Sequence, residues 1–119
     1  MLIYNGNLDV IVNVAGTNRL VSSLDWSGQT EFGNSKRKNI WVWNEETGRG
    51  ELAGYANSGG GLTYVVVRNA GHMVPISQPL WAHHLVTDFT HHVPGAERFA
   101  KPRQMQIKPN SQLSFLQCS

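Results

Sequence analysis

Leu62-Thr63-Tyr64-Val65-Val66-Val67-Arg68-Asn69-Ala70-Gly71-His72-Met73-Val74-Pro75 is an apolar run that stops at a small-residue turn and then presents a histidine. The run is rich in valine and bounded by glycines, which reads as a buried strand. A histidine just past a strand end is rigid at its root, and its ring is free to reach a pocket. Catalytic bases are often held this way. Tyr4-Asn5-Gly6-Asn7-Leu8-Asp9 repeats the form, with an apolar strand, a glycine turn and then a carboxylate. Such a pair suggests general-base catalysis, because the carboxylate can fix the imidazole tautomer and stabilise the imidazolium that forms when a nucleophile gives up its proton.

Between and beyond these two stretches the chain alternates strand and helix signals, which makes it α/β. Residues 1–5 read as a strand and 6–12 as a loop, and Asn13 is placed to cap a helix from Val14 to Leu24 with Val14, Val21 and Leu24 inward. Asp25-Trp26-Ser27-Gly28 ends that helix. Residues 27–39 are polar and close on Lys36-Arg37-Lys38, a solvated loop or short helix rather than a binding patch. Ile40–Asn44, with Trp41 and Trp43 on one face for packing, pairs with Glu51–Ala56 as a hairpin. Asn57-Ser58-Gly59-Gly60-Gly61 turns into the central strand. A helix follows from Leu80 to Val93, with Ala82, Leu85, Val86, Phe89 and Val93 on one stripe. His84, Asp88 and His92 stand at spacings of four, as helical metal ligands would. Their row lies away from the stripe, so it reads as a solvated polar face, and no metal or cofactor is expected. Residues 94–119 show no sustained period and are expected to be a mobile tail, in which Leu113, Phe115 and Leu116 could dock.

Size and composition narrow the function. The 119 residues suit one domain with a real core, and 40% hydrophobic with 15% charged residues is ordinary for a globular protein. A formal net charge of +2, drawn partly from the tail, supports no nucleic-acid partner. The one cysteine, Cys118, cannot form an internal disulfide and has no visible activator. No apolar run approaches the roughly 20 residues of a membrane span. No Asn-x-Ser/Thr sequon occurs, and the opening residues are expected to be strand rather than signal peptide. Met1-Leu2-Ile3-Tyr4 reads as a strand already under way, which suggests a piece of a larger fold.

The Asp-His pair is idle without a nucleophile. In α/β-hydrolases the chain order is nucleophile, acid, histidine, with the serine in a G-x-S-x-G elbow between strand and helix. Asp9 and then His72, 63 residues apart, agree with the last two, and the nucleophile is expected upstream of Met1. Ala56-Asn57-Ser58-Gly59-Gly60 comes near the elbow pattern. It is followed by a strand rather than a helix, however, and would put the nucleophile second, so Ser58 is set aside.

Asn5-Gly6-Asn7-Leu8-Asp9-Val10-Ile11-Val12-Asn13, Asp25-Trp26, Leu52-Ala53-Gly54-Tyr55 and Ala70-Gly71-His72-Met73-Val74-Pro75 together resemble the C-terminal part of the serine carboxypeptidases. The family pattern is a Gly-x-x-Asp loop with an Asn four residues after the acid, an Ala-Gly strand, and a Gly-His-Met-Val-Pro loop. Tyr4-Asn5-Gly6 and Asp25-Trp26 make the chain look nearest the vitellogenic-like branch. The resemblance covers residues 2–93, and so implies that residues 1–93 are the C-terminal portion of an α/β-hydrolase domain. It implies Asp9 as triad acid, His72 as triad base and Met73 beside the histidine at the pocket edge. It also implies removal of C-terminal amino acids from peptides and proteins, typically at acid pH, by a lysosomal, vacuolar or secreted enzyme.

The family's serine, its oxyanion-hole glycines and the residues that hold the substrate carboxylate lie in its N-terminal part, which becomes the expected partner of this chain. Alone, the chain is expected to be inactive and marginally stable. Two other readings stay open: a non-catalytic module that binds through the sheet edge and hairpin, and an acyltransferase relative with the same triad.

Overall fold

The valine-rich run takes the place its composition asks for, a strand with a neighbour on each side. A computed structural model describes residues 1–91. In chain order the elements are β1 (Leu2–Gly6), α1 (Val14–Ser23), α2 (Gln29–Gly33), β2 (Lys38–Asn44), β3 (Arg49–Gly59), β4 (Leu62–Val67), α3 (Val74–Ser77) and α4 (Pro79–Thr90). The architecture is mixed α/β, built on one sheet of order β1-β4-β3-β2. Strand β4 runs parallel to β1 and antiparallel to β3, and β3 pairs antiparallel with β2 across a bulge at Ile40/Trp41.

The register of the parallel pair positions the site. Leu2 faces Thr63 and Gly6 faces Val67, so β1 and β4 end side by side. The segments that follow them leave the sheet at the same carboxyl edge, where open α/β sheets gather their functional loops.

Side-chain alternation divides the packing between the two faces of β4. Val65 and Val67 join Ala56, Ala70, Val74, Ala82 and Leu85 in one buried cluster, which brings α3 and α4 against that face. Leu62 and Tyr64 point the other way and are buried, as is Val21 of α1. The side chain of Asn13 caps α1 by accepting from the Gly16 amide at 2.7 Å.

Several details differ from the sequence reading. Asn57, Ser58 and Gly59 are not turn but the end of β3, because they pair with Tyr64, Thr63 and Leu62. The turn itself is Gly60-Gly61, both at positive φ (56° and 82°), a conformation L side chains resist. Thr17 joins Val21 on the inner side of α1 instead of Leu24, which is 41% exposed. The helix stops at Ser23, and extended backbone at Leu24 carries that side chain off its face. Helix α4 starts at Pro79 and ends at Thr90, and Val86, placed on the apolar stripe, is exposed. Ala82 and Leu85 are the buried residues of α4 and carry its packing. The polar stretch before β2 holds a short helix, α2. Trp41 and Trp43 stay about two-fifths exposed on the edge strand β2, so their packing is partial. The readings made for Val93, His92, Cys118 and residues 94–119 lie outside the described residues. Among the described residues no helix is long and apolar enough to cross a membrane.

Leu62, only 1% exposed, is the largest fully buried side chain. Leu62→Ala is expected to lower the unfolding free energy by about 2–5 kcal/mol, through lost transfer energy plus a residual cavity. A urea midpoint shift at unchanged m-value reads this directly. A shift equivalent to less than about 1 kcal/mol would mean that β4 is not the centre of the core.

Candidate active site

The two loops at the carboxyl edge are laced together before any side chain takes part. After β1 ends, the Asn7 amide donates to the Val67 carbonyl and the Leu8 amide to the Ala70 carbonyl, each at 2.9 Å. Gly6 makes this approach possible. A Cβ on Gly6 would sit 2.1 Å from the Ala70 oxygen and 2.4 Å from the Gly71 oxygen, inside any real contact distance. Glycine is used here because the second loop's backbone occupies the space of a side chain.

Asp9 follows, buried at 6% exposure. Its Oδ1 accepts from the amides of Ile11 at 2.9 Å and Val12 at 3.0 Å, so the carboxylate is tied to its own loop. Its Oδ2 meets His72 Nδ1 at 2.9 Å. An ionised carboxylate can only accept, so the proton of this bond belongs to Nδ1. That leaves Nε2 of the neutral ring unprotonated, and His72 is half exposed. Burial pushes the Asp9 carboxyl up. The Val12 amide, His72 and the Ile11 amide together outweigh burial, and the carboxyl lies below the ordinary aspartate value.

The histidine's root is braced from the other side. Asn69, the last residue before the Ala-Gly turn, adopts a left-handed conformation at φ 51°, which asparagine tolerates better than most residues. Gln78 Nε2 donates to the Asn69 carbonyl at 3.2 Å, and the Gly71 amide donates to Ser77 Oγ at 3.3 Å. Ala70 between them is fully buried. Met73, expected beside the histidine, is 58% exposed and immediately precedes α3, its carbonyl accepting from the Ile76 and Ser77 amides.

The structure thus brings Asp9 and His72 into direct contact across 63 residues of chain. Ser58 is elsewhere. It pairs with Thr63 at the opposite end of β4, its hydroxyl 2.9 Å from Thr63 Oγ1. Among the described residues His72 bonds to no hydroxyl or thiol, and no three His, Cys, Asp or Glu side chains gather as metal ligands. Asn69, Ser77 and Gln78 escaped the sequence reading because their work is done through single polar contacts with the loop backbone. Only Asn69, before Ala-Gly, carried a signal in its turn chemistry.

The family model for serine carboxypeptidases matches residues 1–92. A venom serine carboxypeptidase of Apis mellifera is 47% identical over 91 residues, covering 76% of this chain and 18% of the relative. The vitellogenic carboxypeptidase of Aedes aegypti is 41% identical over 91 residues, again 76% of this chain and 18% of the relative. Among solved structures, a prohormone-processing carboxypeptidase from Saccharomyces cerevisiae superposes with a TM-score of 0.62 at 27% identity, over 76% of this chain and 19% of that one. The chain therefore spans about a fifth of the length of the relatives it matches.

The depressed Asp9 carboxyl fixes the sign of a pH effect. Its stabilisation is fully present above the unfolded aspartate value of about 3.9 and is lost as pH falls through the lower folded value. Denaturant titrations from neutral pH downward are expected to show the parent losing stability more steeply than Asp9→Asn below about pH 4, with a constant offset above about pH 5. Parallel curves through that window would mean that Asp9 is not held as its contacts require.

Proposed function

The chain belongs to the serine carboxypeptidase family, and from that premise we propose that Asp9 and His72 are the acid and base of its catalytic triad. The observation that carries this is the 2.9 Å contact between His72 Nδ1 and buried Asp9 Oδ2. It leaves Nε2 as the nitrogen that can take a proton. In this role Nε2 removes the proton of a serine hydroxyl as that oxygen attacks the last peptide carbonyl of a substrate. The imidazolium, stabilised by Asp9, then protonates the leaving amine. A water activated by the same nitrogen releases the new carboxylate.

The substrates are the C-termini of peptides and proteins, and Met73, exposed beside His72 in the chain, borders the pocket that receives them. The serine, the oxyanion donors and the groups that bind the substrate's terminal carboxylate come from the part of the fold that these 119 residues do not span. The 119 residues alone are therefore inactive, and the remaining portion of the fold is their partner. A lysosomal, vacuolar or secreted location is the reading in keeping with a venom enzyme among the relatives.

A second reading has one observation in its favour. Trp41 and Trp43 are about two-fifths exposed on the edge strand β2, a surface suited to binding a protein partner without chemistry.

A fluorophosphonate probe separates the two. The purified 119-residue chain is expected to take up no label. A protein that joins this chain to the family's serine-bearing portion is expected to be labelled at one serine and to release C-terminal residues. In that protein Asp9→Asn is expected to lower kcat about 10⁴-fold, and His72→Ala at least as much. Stoichiometric labelling of the chain alone, or full turnover in His72→Ala, would overturn the assignment.

A further inference from the structure

Asn5 is an asparagine in the interior of a buried strand end, a residue type that strands avoid and that costs free energy inside a protein unless bonded. It is 7% exposed. Its Nδ2 donates to the Val12 carbonyl at 3.0 Å, seven residues along the chain. The opposite orientation of the amide would set two oxygens against each other, so this donor assignment is fixed by its partner.

Val12 is thereby gripped at both ends. Its carbonyl is held by Asn5, and its amide donates to Asp9 Oδ1 at 3.0 Å. Side-chain packing does little to hold this segment, since Val10 is 88%, Ile11 75% and Val12 46% exposed. Hydrogen bonds must therefore set the loop's position, and Asn5 supplies the one that ties its far end back to the sheet.

We propose that Asn5 is a positioning residue for the Asp9–His72 pair, acting through Val12 to aim the carboxylate at Nδ1. The order of action is Asn5, Val12, Asp9, His72. Asn5 touches no reacting atom. Its catalytic consequence rests on the acid–base reading above, while the clamp itself is a property of the pair and can be tested without turnover.

The test is NMR on the full chain, following the Asp9 carboxyl and the ring nitrogens of His72 in the parent, in Asn5→Leu (similar size, no donor) and in Asn5→Ser (too short to reach). In either folded variant the Asp9 midpoint is expected to rise toward the ordinary aspartate value, and the His72 nitrogens to leave the single Nδ1-protonated signature for a tautomer mixture. In an Asp9→Asn background, Asn5→Leu is expected to change His72 no further, which a merely structural role would not produce. A folded Asn5 variant whose Asp9 midpoint and His72 tautomer match the parent overturns the proposal. Should both variants fail to fold, the parent still decides. Its Asn5 side-chain amide is expected to exchange slowly and to shift in step with the Asp9 carboxyl, and a fast-exchanging or pH-indifferent amide overturns the clamp. In a protein completed with its serine, Asn5→Ser is expected to lower kcat with KM little changed. If the NMR shifts appear but kcat holds, the clamp stands and its catalytic consequence falls.

Discussion

Everything at the candidate site depends on two parallel strands that end together with nothing between them. Gly6 and Val67 are register partners, and the chain leaving each strand must pass within van der Waals reach of the other. A side chain at residue 6 would collide with the Ala70 and Gly71 carbonyls. With hydrogen there instead, the Asn7 and Leu8 amides reach the second loop, and the Asp9 carboxylate arrives within bonding distance of His72. The contact between Asp9 and His72 is thus a consequence of backbone contact one layer below it.

That layered construction explains why a buried carboxylate stays ionised. Removing Asp9 from water opposes its charge, and in an apolar site that effect would raise its pKa. Here two amides of its own loop and the histidine ring compensate, and the balance favours the anion. The amides are available because the loop folds back on itself in an Asx turn, and the turn holds its place because both its ends are anchored, one to the His72 loop and one to Asn5.

Much of this was legible in the sequence, and for identifiable reasons. The run Leu62–Val67 has no polar residue beyond Thr63 and Tyr64, so only a buried central strand suits it. Each glycine turn after an apolar strand marked a loop at a strand end, and chain order linked Asp9 to His72 before any distance was known. Periodicity alone was weaker. It assigned Leu24 and Val86 inward because it assumes that a helix continues through the residue in question and that a neighbour covers the whole stripe. Turn propensity ended β3 at Ala56 because asparagine, serine and glycine favour turns, whereas ladder pairing with β4 holds them extended. Contacts such as Asn5 with Val12 depend on which way one side chain points, and no spacing rule encodes that.

The Asp9 loop has one further implication, for which substitutions it can accept. Val10 and Ile11 expose most of their side chains, while the amides of Ile11 and Val12 are both committed to Asp9. Such a segment is strict about its main chain, whatever side chains it displays. Proline at 11 or 12 removes a donor the carboxylate needs. What the Asp9 carboxylate requires of this loop is the presence of two N–H groups, which a hydrophobicity profile does not record.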